Sequence, residues 1–249
     1  MKPTLTAIVI TKNEQERIRA CLKSLSFADE MIVVDNGSTD QTVELAKQLG
    51  AKVAKTAEKD FSGLRELGLR EATGTWVLYI DADEEVTQVL QKEIRDTIEY
   101  TDKTVYFIRR DTYFLGHHWP YQDNVERLFF RTALRGWHGT LHETPLYVGE
   151  IATLAKPLVH RTHRTLEEMV AKTNEWSRLE AGLRLDAHHP PVVWWRLIRV
   201  MATGFWQSFI VQGGWKAGTV GLIESIYQAF SMFITYAKLW ELQQKQNIQ

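Results

Sequence analysis

The sequence predicts an α/β fold built on a parallel sheet and extended at its C-terminus by helices. Three observations carry this prediction. Between Leu5 and Asp83 short β-rich runs alternate with amphipathic helical ones. Beyond Gln88 that rhythm gives way to strand-like pieces separated by turn and aromatic residues, and from Leu166 the chain reads as helical. With 249 residues, 44% of them hydrophobic and 24% charged, the chain supports one large core or two small ones.

Leu5 to Ile10 is a buried strand by its β-branched content. Ile18, Cys21, Leu22 and Leu25 then recur at i, i+3, i+4 and i+7, which predicts a helix with Arg17, Arg19 and Lys23 outside. Met31 to Val34 is the second strand; Ser38-x-x-Gln41 is a capping-box start for a helix ended by Gly50, and Ala51 to Ala54 is a third strand. A helix over Phe61 to Ala72 leads into Trp76 to Ile80, the strongest strand signal, which runs into Asp81-Ala82-Asp83-Glu84-Glu85. One further helix to about Tyr100 precedes strand-like pieces at Val105 to Arg110, Arg127 to Arg131 and Leu141 to Val148, an antiparallel extension packed on the parallel sheet. His189-Pro190-Pro191 breaks the helical region that follows.

Lys and Arg number 30 against 31 Asp and Glu, so no bulk positive field gathers nucleic acid. A single cysteine, Cys21, excludes a disulfide framework and a cysteine-based zinc site. The N-terminus runs directly into a strand without an apolar leader, from which an intracellular protein is expected.

The last sixty residues hold five of the nine tryptophans, with five Lys or Arg and two acids. The apolar stretches Val200 to Trp215 and Ser225 to Ala237 are shorter than the ~20 residues a bilayer crossing needs. Through the second and the residues just before it, Val220, Ile223, Tyr227, Phe230, Ile234 and Ala237 form one apolar stripe. Two readings stay open. One is a helix packed on the N-terminal domain or on a second subunit, giving a homo-oligomer. The other is a monotopic surface with Arg196, Arg199 and Lys216 facing anionic lipid.

In an open parallel sheet, ligands bind outside the carboxyl ends of the strands. Three ends here are polar: Thr11-Lys12-Asn13-Glu14, Asp35-Asn36-Gly37-Ser38-Thr39-Asp40 and Asp81-Ala82-Asp83. None carries G-x-G-x-x-G or G-x-x-x-x-G-K-[ST], so no glycine cradle holds a phosphate. Two carboxylates one residue apart after a strand can instead hold a divalent cation that bridges a diphosphate. Asp35, ending another strand 46 residues before Asp81, strengthens that reading of a metal-assisted nucleotide site.

These three motifs in this order, with Ala72-Thr73-Gly74-Thr75 ahead of the last, resemble the family 2 glycosyltransferases over about the first ninety residues. The resemblance implies the GT-A fold, a mostly parallel sheet with helices on both faces. Downstream, Glu126-Arg127-Leu128-Phe129-Phe130-Arg131 and Gly139-Thr140-Leu141-His142-Glu143 are similar to the bacterial branch that includes lipopolysaccharide core β-glucosyltransferases.

By the same resemblance Thr11, Asn13 and Glu14 line the nucleoside pocket and Asp35 accepts a hydrogen bond from the base. Asp81 contacts ribose or metal, Asp83 binds Mg²⁺ or Mn²⁺ through the diphosphate, and Arg65 lies near the nucleotide. The family often has an amide where Glu66 stands and an acid where Thr75 stands. An inverting transfer also needs a base for the acceptor hydroxyl. Glu143, in the His-Glu pair, is the first candidate and Asp123 the second. Arg127 and Arg131, at i and i+4 of a strand, share one face and meet phosphate or form salt bridges.

Eight histidines show no zinc spacing, though His142, His160 or His163 can add a ligand to the catalytic metal. Lys172 and Asn174 lie on a polar helical segment. The expectation is a catalytic domain over residues 1–165 with a helical extension over 166–249. It transfers a hexose from a UDP-sugar to an envelope glycan or glycolipid, in the cytoplasm and peripherally on the inner face of the membrane. A nucleotidyltransferase, and a membrane-associated scaffold with a vestigial sugar-nucleotide site, are the alternatives.

Overall fold

The apolar runs of the N-terminal half pair as parallel strands, with their helices between them. In chain order the elements are β1 (Leu5–Thr11), α1 (Ile18–Ser24), β2 (Glu30–Asp35), α2 (Thr42–Gln48), β3 (Lys52–Lys55), α3 (Phe61–Glu71), β4 (Trp76–Asp81), β5 (Glu84–Glu85) and α4 (Gln88–Tyr100). Then come β6 (Val105–Phe114), β7 (His117–His118), β8 (Asp123–Phe130), β9 (Leu134–His138), β10 (Thr144–Tyr147), β11 (Ile151–Thr153) and β12 (Leu158–Arg161), followed by α5 (Leu166–Asp186), α6 (Trp194–Trp206) and α7 (Gly218–Asn247). The structure, a computed structural model, describes residues 2–57, 60–139, 143–162 and 165–247. The chain divides into two units, Met1–Asp111 with Gln122–His160, and Thr112–Tyr121 with Arg161–Gln249.

In the first unit β3, β2, β1 and β4 lie side by side in parallel, and the sheet continues through β8, β6, β12 and β5, with β11 also on β6. The antiparallel extension therefore joins the sheet at the edge of β4 rather than packing on its face, because the β4 backbone is buried and its outer N–H and C=O groups need partners. Strand residues alternate between two apolar layers. Leu5, Ala7, Val9, Trp76, Leu78 and Ile80 meet α1, α2 and α4 on one face. Ile8, Val77 and Tyr79 meet α3 and β9 on the other. Both faces are dry, which is why these strands read as continuous apolar runs rather than alternating ones. On the second face α3 comes so close to β1 that a Cβ on Gly68 would lie 2.4 Å from Ile8 Cγ2.

Two local expectations are corrected. Ser38 does not cap α2. Its hydroxyl accepts from Asn13 N–H at 2.9 Å, and Asp40 Oδ1 instead accepts from Thr42 N at 3.0 Å. Arg17 is not outside either: it is buried against Glu14 at 2.7 Å.

The second unit is helical, with the β7 hairpin on the end of β6 (Tyr113 opposite His118). Ala181 of α5, Val200 of α6, Tyr236 and Leu239 of α7, and Val192 form its core. A π-helical turn, Gln207–Val211, and a 3-10 turn, Gly214–Ala217, join α6 to α7. The expected stripe is only partly the packed face of α7: Tyr227 reaches Met169 and Thr173 of α5, and Val220, Ile223, Ile234 and Ala237 are half-buried. Its buried side runs through Gly221, Ser225, Ala229, Tyr236 and Leu239, where small residues admit a close neighbour, while Phe230 stays exposed. No described helix is long and apolar enough to cross a membrane.

Candidate active site

The loops after β1 and β2 are sewn together by short polar side chains. Asn13 takes a left-handed backbone (φ 56°), which asparagine tolerates better than most residues. Its Oδ1 accepts from Thr39 N at 2.8 Å, and Glu14 N donates to Thr42 Oγ1 at 2.8 Å. Asp35, at the buried end of β2, accepts from Ser38 N at 3.2 Å. Thr11 Oγ1 is buried with no hydrogen-bond partner among the described residues. The four residues expected to line a nucleoside pocket therefore stand on two adjacent strand ends, Thr11 opposite Asp35 in the register. Asn13 and Glu14 spend their side chains on Thr39 and Arg17, holding the loops.

At the end of β4 the chemistry is ionic. Asp81 receives Arg127 and Arg65, the latter at 3.3 Å. Burial works against its charge, but the two guanidinium groups more than offset this and hold the carboxyl well below the usual range. Arg65 Nε also donates to Glu143 Oε1 at 2.6 Å, so one side chain spans Asp81 and the first base candidate. Its guanidinium lies 4.8 Å from the centre of the Trp137 ring and 5.5 Å from that of Tyr79, whose hydroxyl donates to the Arg65 carbonyl at 2.9 Å. Arg65 is thus held from its backbone to its tip.

Beneath Asp81 lies Glu84, fully buried. Its Oε2 accepts from Asp81 N at 2.9 Å, and its Oε1 meets Arg127 at 2.6 Å and Arg110 at 3.5 Å. Burial pushes its carboxyl up despite these cations, while Arg127, flanked by Asp81 and Glu84, stays charged. Arg110 in turn holds Asp123 through a two-pronged contact across the β6–β8 pair. Burial raises the Asp123 carboxyl, but the hydrogen bond and the charge of Arg110 together outweigh it and the net shift is downward. Arg127 and Arg131 do not share this site: β8 ends at Phe130, and Arg131 Nε donates to the Gly74 carbonyl at 2.7 Å.

Asp83 Oδ2 lies 3.5 Å from His160 Nε2, brought there because His160 of β12 sits opposite Glu84 of β5. A carboxylate and an imidazole side by side fit a divalent cation whose remaining shell comes from a diphosphate and water. Among the described residues no group of three or more His, Cys, Asp or Glu gathers into a protein-only cage. His142 and His163 lie outside the described residues.

Sequence reasoning missed Arg110, Tyr79 and Trp137, and saw Glu84 only as part of an acidic run. Their roles come from strand pairing and from a buried aromatic wall, neither of which leaves a short local motif.

The family model for glycosyl transferase family 2 matches residues 6–160. An uncharacterised glycosyltransferase of Rickettsia prowazekii is 31% identical over 98% of this chain and 89% of its own. Lipopolysaccharide core biosynthesis glycosyltransferase LpsC of Rhizobium meliloti is 26% identical over 96% of this chain and 93% of its own. Among solved structures, S. aureus TarS in complex with UDP-GlcNAc superposes with a TM-score of 0.52 at 14% identity, over 98% of this chain and 92% of that chain. The fold is thus of the GT-A type, and with the matched span covering the strand ends described above, the chain belongs to glycosyltransferase family 2.

Proposed function

We propose that this glycosyltransferase moves a hexose from a UDP-sugar, with inversion, to a hydroxyl of a cell-envelope glycan or glycolipid at the cytoplasmic side of the membrane. Residues 1–165 are the catalytic part in this reading and 166–249 an accessory part. The observation that carries it is the Arg65 side chain, which joins Asp81 at a nucleotide-binding strand end to Glu143. LpsC supports an envelope acceptor, and the TarS complex makes UDP the first nucleotide to test.

Thr11, Asn13 and Glu14 line the nucleoside pocket in this reading, and Asp35 accepts from the base N–H. Asp81 meets the ribose, and Asp83 with His160 holds Mg²⁺ or Mn²⁺. When bound, the ion supplies positive charge to the departing diphosphate. Arg65 and Arg127, already gathered at Asp81, are the chain's own cations for the same group. The acceptor oxygen attacks the anomeric carbon as its proton passes to Glu143, and the bond to the diphosphate breaks with its electron pair leaving on UDP.

In the structure Arg65 occupies Oε1 of Glu143, where the acceptor proton would go. Transfer of Arg65 from Glu143 to an incoming diphosphate frees Glu143 once the donor is in place. Arg110, by contrast, engages both oxygens of Asp123, whereas Arg65 engages Oε1 of Glu143, so Glu143 is the more readily released of the two. Glu143→Gln is expected to lower kcat by roughly 10²–10⁴-fold with UDP affinity nearly unchanged, and Asp123→Asn to act mildly. The reverse ranking in steady-state kinetics moves the base to Asp123; an undiminished kcat in both variants contradicts a carboxylate base.

A further inference from the structure

The accessory unit exposes aromatic surface that nothing in the transfer reaction uses. Trp194, Trp195, Trp206 and Trp215 are 73%, 47%, 61% and 55% exposed. A lone exposed tryptophan needs no explanation; four within 22 residues do. The arrangement follows from how α6 is packed. Leu197 and Val200 of α6 belong to the core, and a Cβ on Gly204 would touch Met232 and the Gln228 carbonyl of α7 at 3.1 and 3.2 Å. That fixes the buried side of α6. Trp194, Ile198, Met201 and Phe205 recur at i, i+4, i+7 and i+11 and so form a second apolar face. Of these, Trp194, Ile198 and Met201 are exposed. The turn between α6 and α7 continues this surface with exposed Ile210, Val211 and Trp215.

The charge beside this surface has one sign. From Ala187 to Ile223 the chain carries Arg196, Arg199 and Lys216 and no Asp or Glu. The cations sit at the tryptophans themselves: Arg196 and Arg199 lie 5.6 and 5.8 Å from the Trp195 ring, and Lys216 lies 5.4 Å from the Trp215 ring. A two-fold contact between copies would set this patch against itself, cation facing cation with no carboxylate to answer. A surface that is apolar in depth and anionic at its boundary answers both features. Tryptophan favours the headgroup level, and each cation near an anionic leaflet adds attraction. At 13 residues α6 is about 20 Å long, too short to cross the ~30 Å hydrocarbon core, so at a bilayer it would have to lie along the surface.

We infer that the exposed face of α6 and the α6–α7 turn dock on an anionic lipid bilayer. This rests on the membrane location in the proposed function and deepens it, while vesicle binding and sugar transfer are read by separate experiments and can fail separately. The full-length chain is sedimented with vesicles of equal parts phosphatidylcholine and phosphatidylglycerol, and with phosphatidylcholine alone. Trp194→Ser/Trp206→Ser and Arg199→Gln/Lys216→Gln double variants run beside it, each first checked for native circular dichroism and for mass by sedimentation velocity. The expected result is binding to the anionic vesicles roughly tenfold or more above the neutral ones, reduced roughly tenfold or more by either double variant. Absence of binding, or binding that the tryptophan pair leaves unchanged, overturns the inference. A dimer that the tryptophan substitutions dissociate overturns it too, and gives the face to a second copy.

Discussion

Glu84 is fully buried and is contacted by two guanidinium groups and a backbone N–H. Removing Arg127 leaves Glu84 facing Asp81 with less positive charge between them, so Arg127→Ala is expected to cost about 3–5 kcal/mol in urea unfolding. Arg127→Lys recovers part of this, since an ammonium cannot fork between two carboxylates as a guanidinium does. Equal stability in all three proteins would mean that the network carries no net weight.

Glu224 on α7 offers a test of burial alone. Its Oε1 accepts from Gln228 at 2.6 Å, its buried Oε2 has no hydrogen-bond partner among the described residues, and burial pushes its carboxyl up to about 7. Between an unfolded value of 4.5 and about 7 the folded chain keeps a proton that the unfolded chain has released. Stability therefore falls as pH rises through that window. Glu224→Gln is expected to stabilise by on the order of 1–3 kcal/mol at about pH 8 and by little near pH 4.5, read from paired thermal melts.

The placing of Asp35 and Asp81 at strand ends was legible because each closes an apolar run, and Asp83 follows in the turn after β4. The Glu84–Arg110–Asp123 links were not, since they exist only once β6 and β8 pair. Arg131 was misplaced for the same reason: spacing puts it on the face of Arg127 only if the strand continues past Phe130.

At the level of elements, β1, β2 and β4 were readable because they are buried on both faces and so apolar at every position. β9, β11 and β12, of five, three and four residues, depend on neighbours for their state, and periodicity cannot find strands that short. The α7 face was read only in part because a hydrophobic-period reading weighs large apolar residues, whereas its packed side at the turn is built of small ones. Ser208 and Ser225 hydrogen-bond there at 3.1 Å, and a Cβ on Gly221 would lie 1.8 Å from the Gly214 carbonyl oxygen. Backbone cannot step aside as a flexible side chain can. Gly221→Ala is expected to destabilise the helical unit by about 1–3 kcal/mol or more, seen as a lowered Tm. An unchanged Tm would show that the 3-10 turn is free to move away.

For the molecule as a whole, charge is balanced at −1 yet unevenly placed. A knot of carboxylates and arginines gathers in the first unit, and a cationic, tryptophan-rich stretch without acids lies in the second. Family membership accounts for the fold of the first unit and for sugar transfer as its chemistry. Whether that site still holds a nucleotide separates a working enzyme from a scaffold with a vestigial pocket. Calorimetric titration of UDP and of GDP, each with Mn²⁺ and with EDTA, into the wild-type chain and Asp83→Ala decides this most directly. The account predicts UDP binding that requires Mn²⁺ and is lost in Asp83→Ala; failure of both nucleotides to bind the wild type with Mn²⁺ would contradict it.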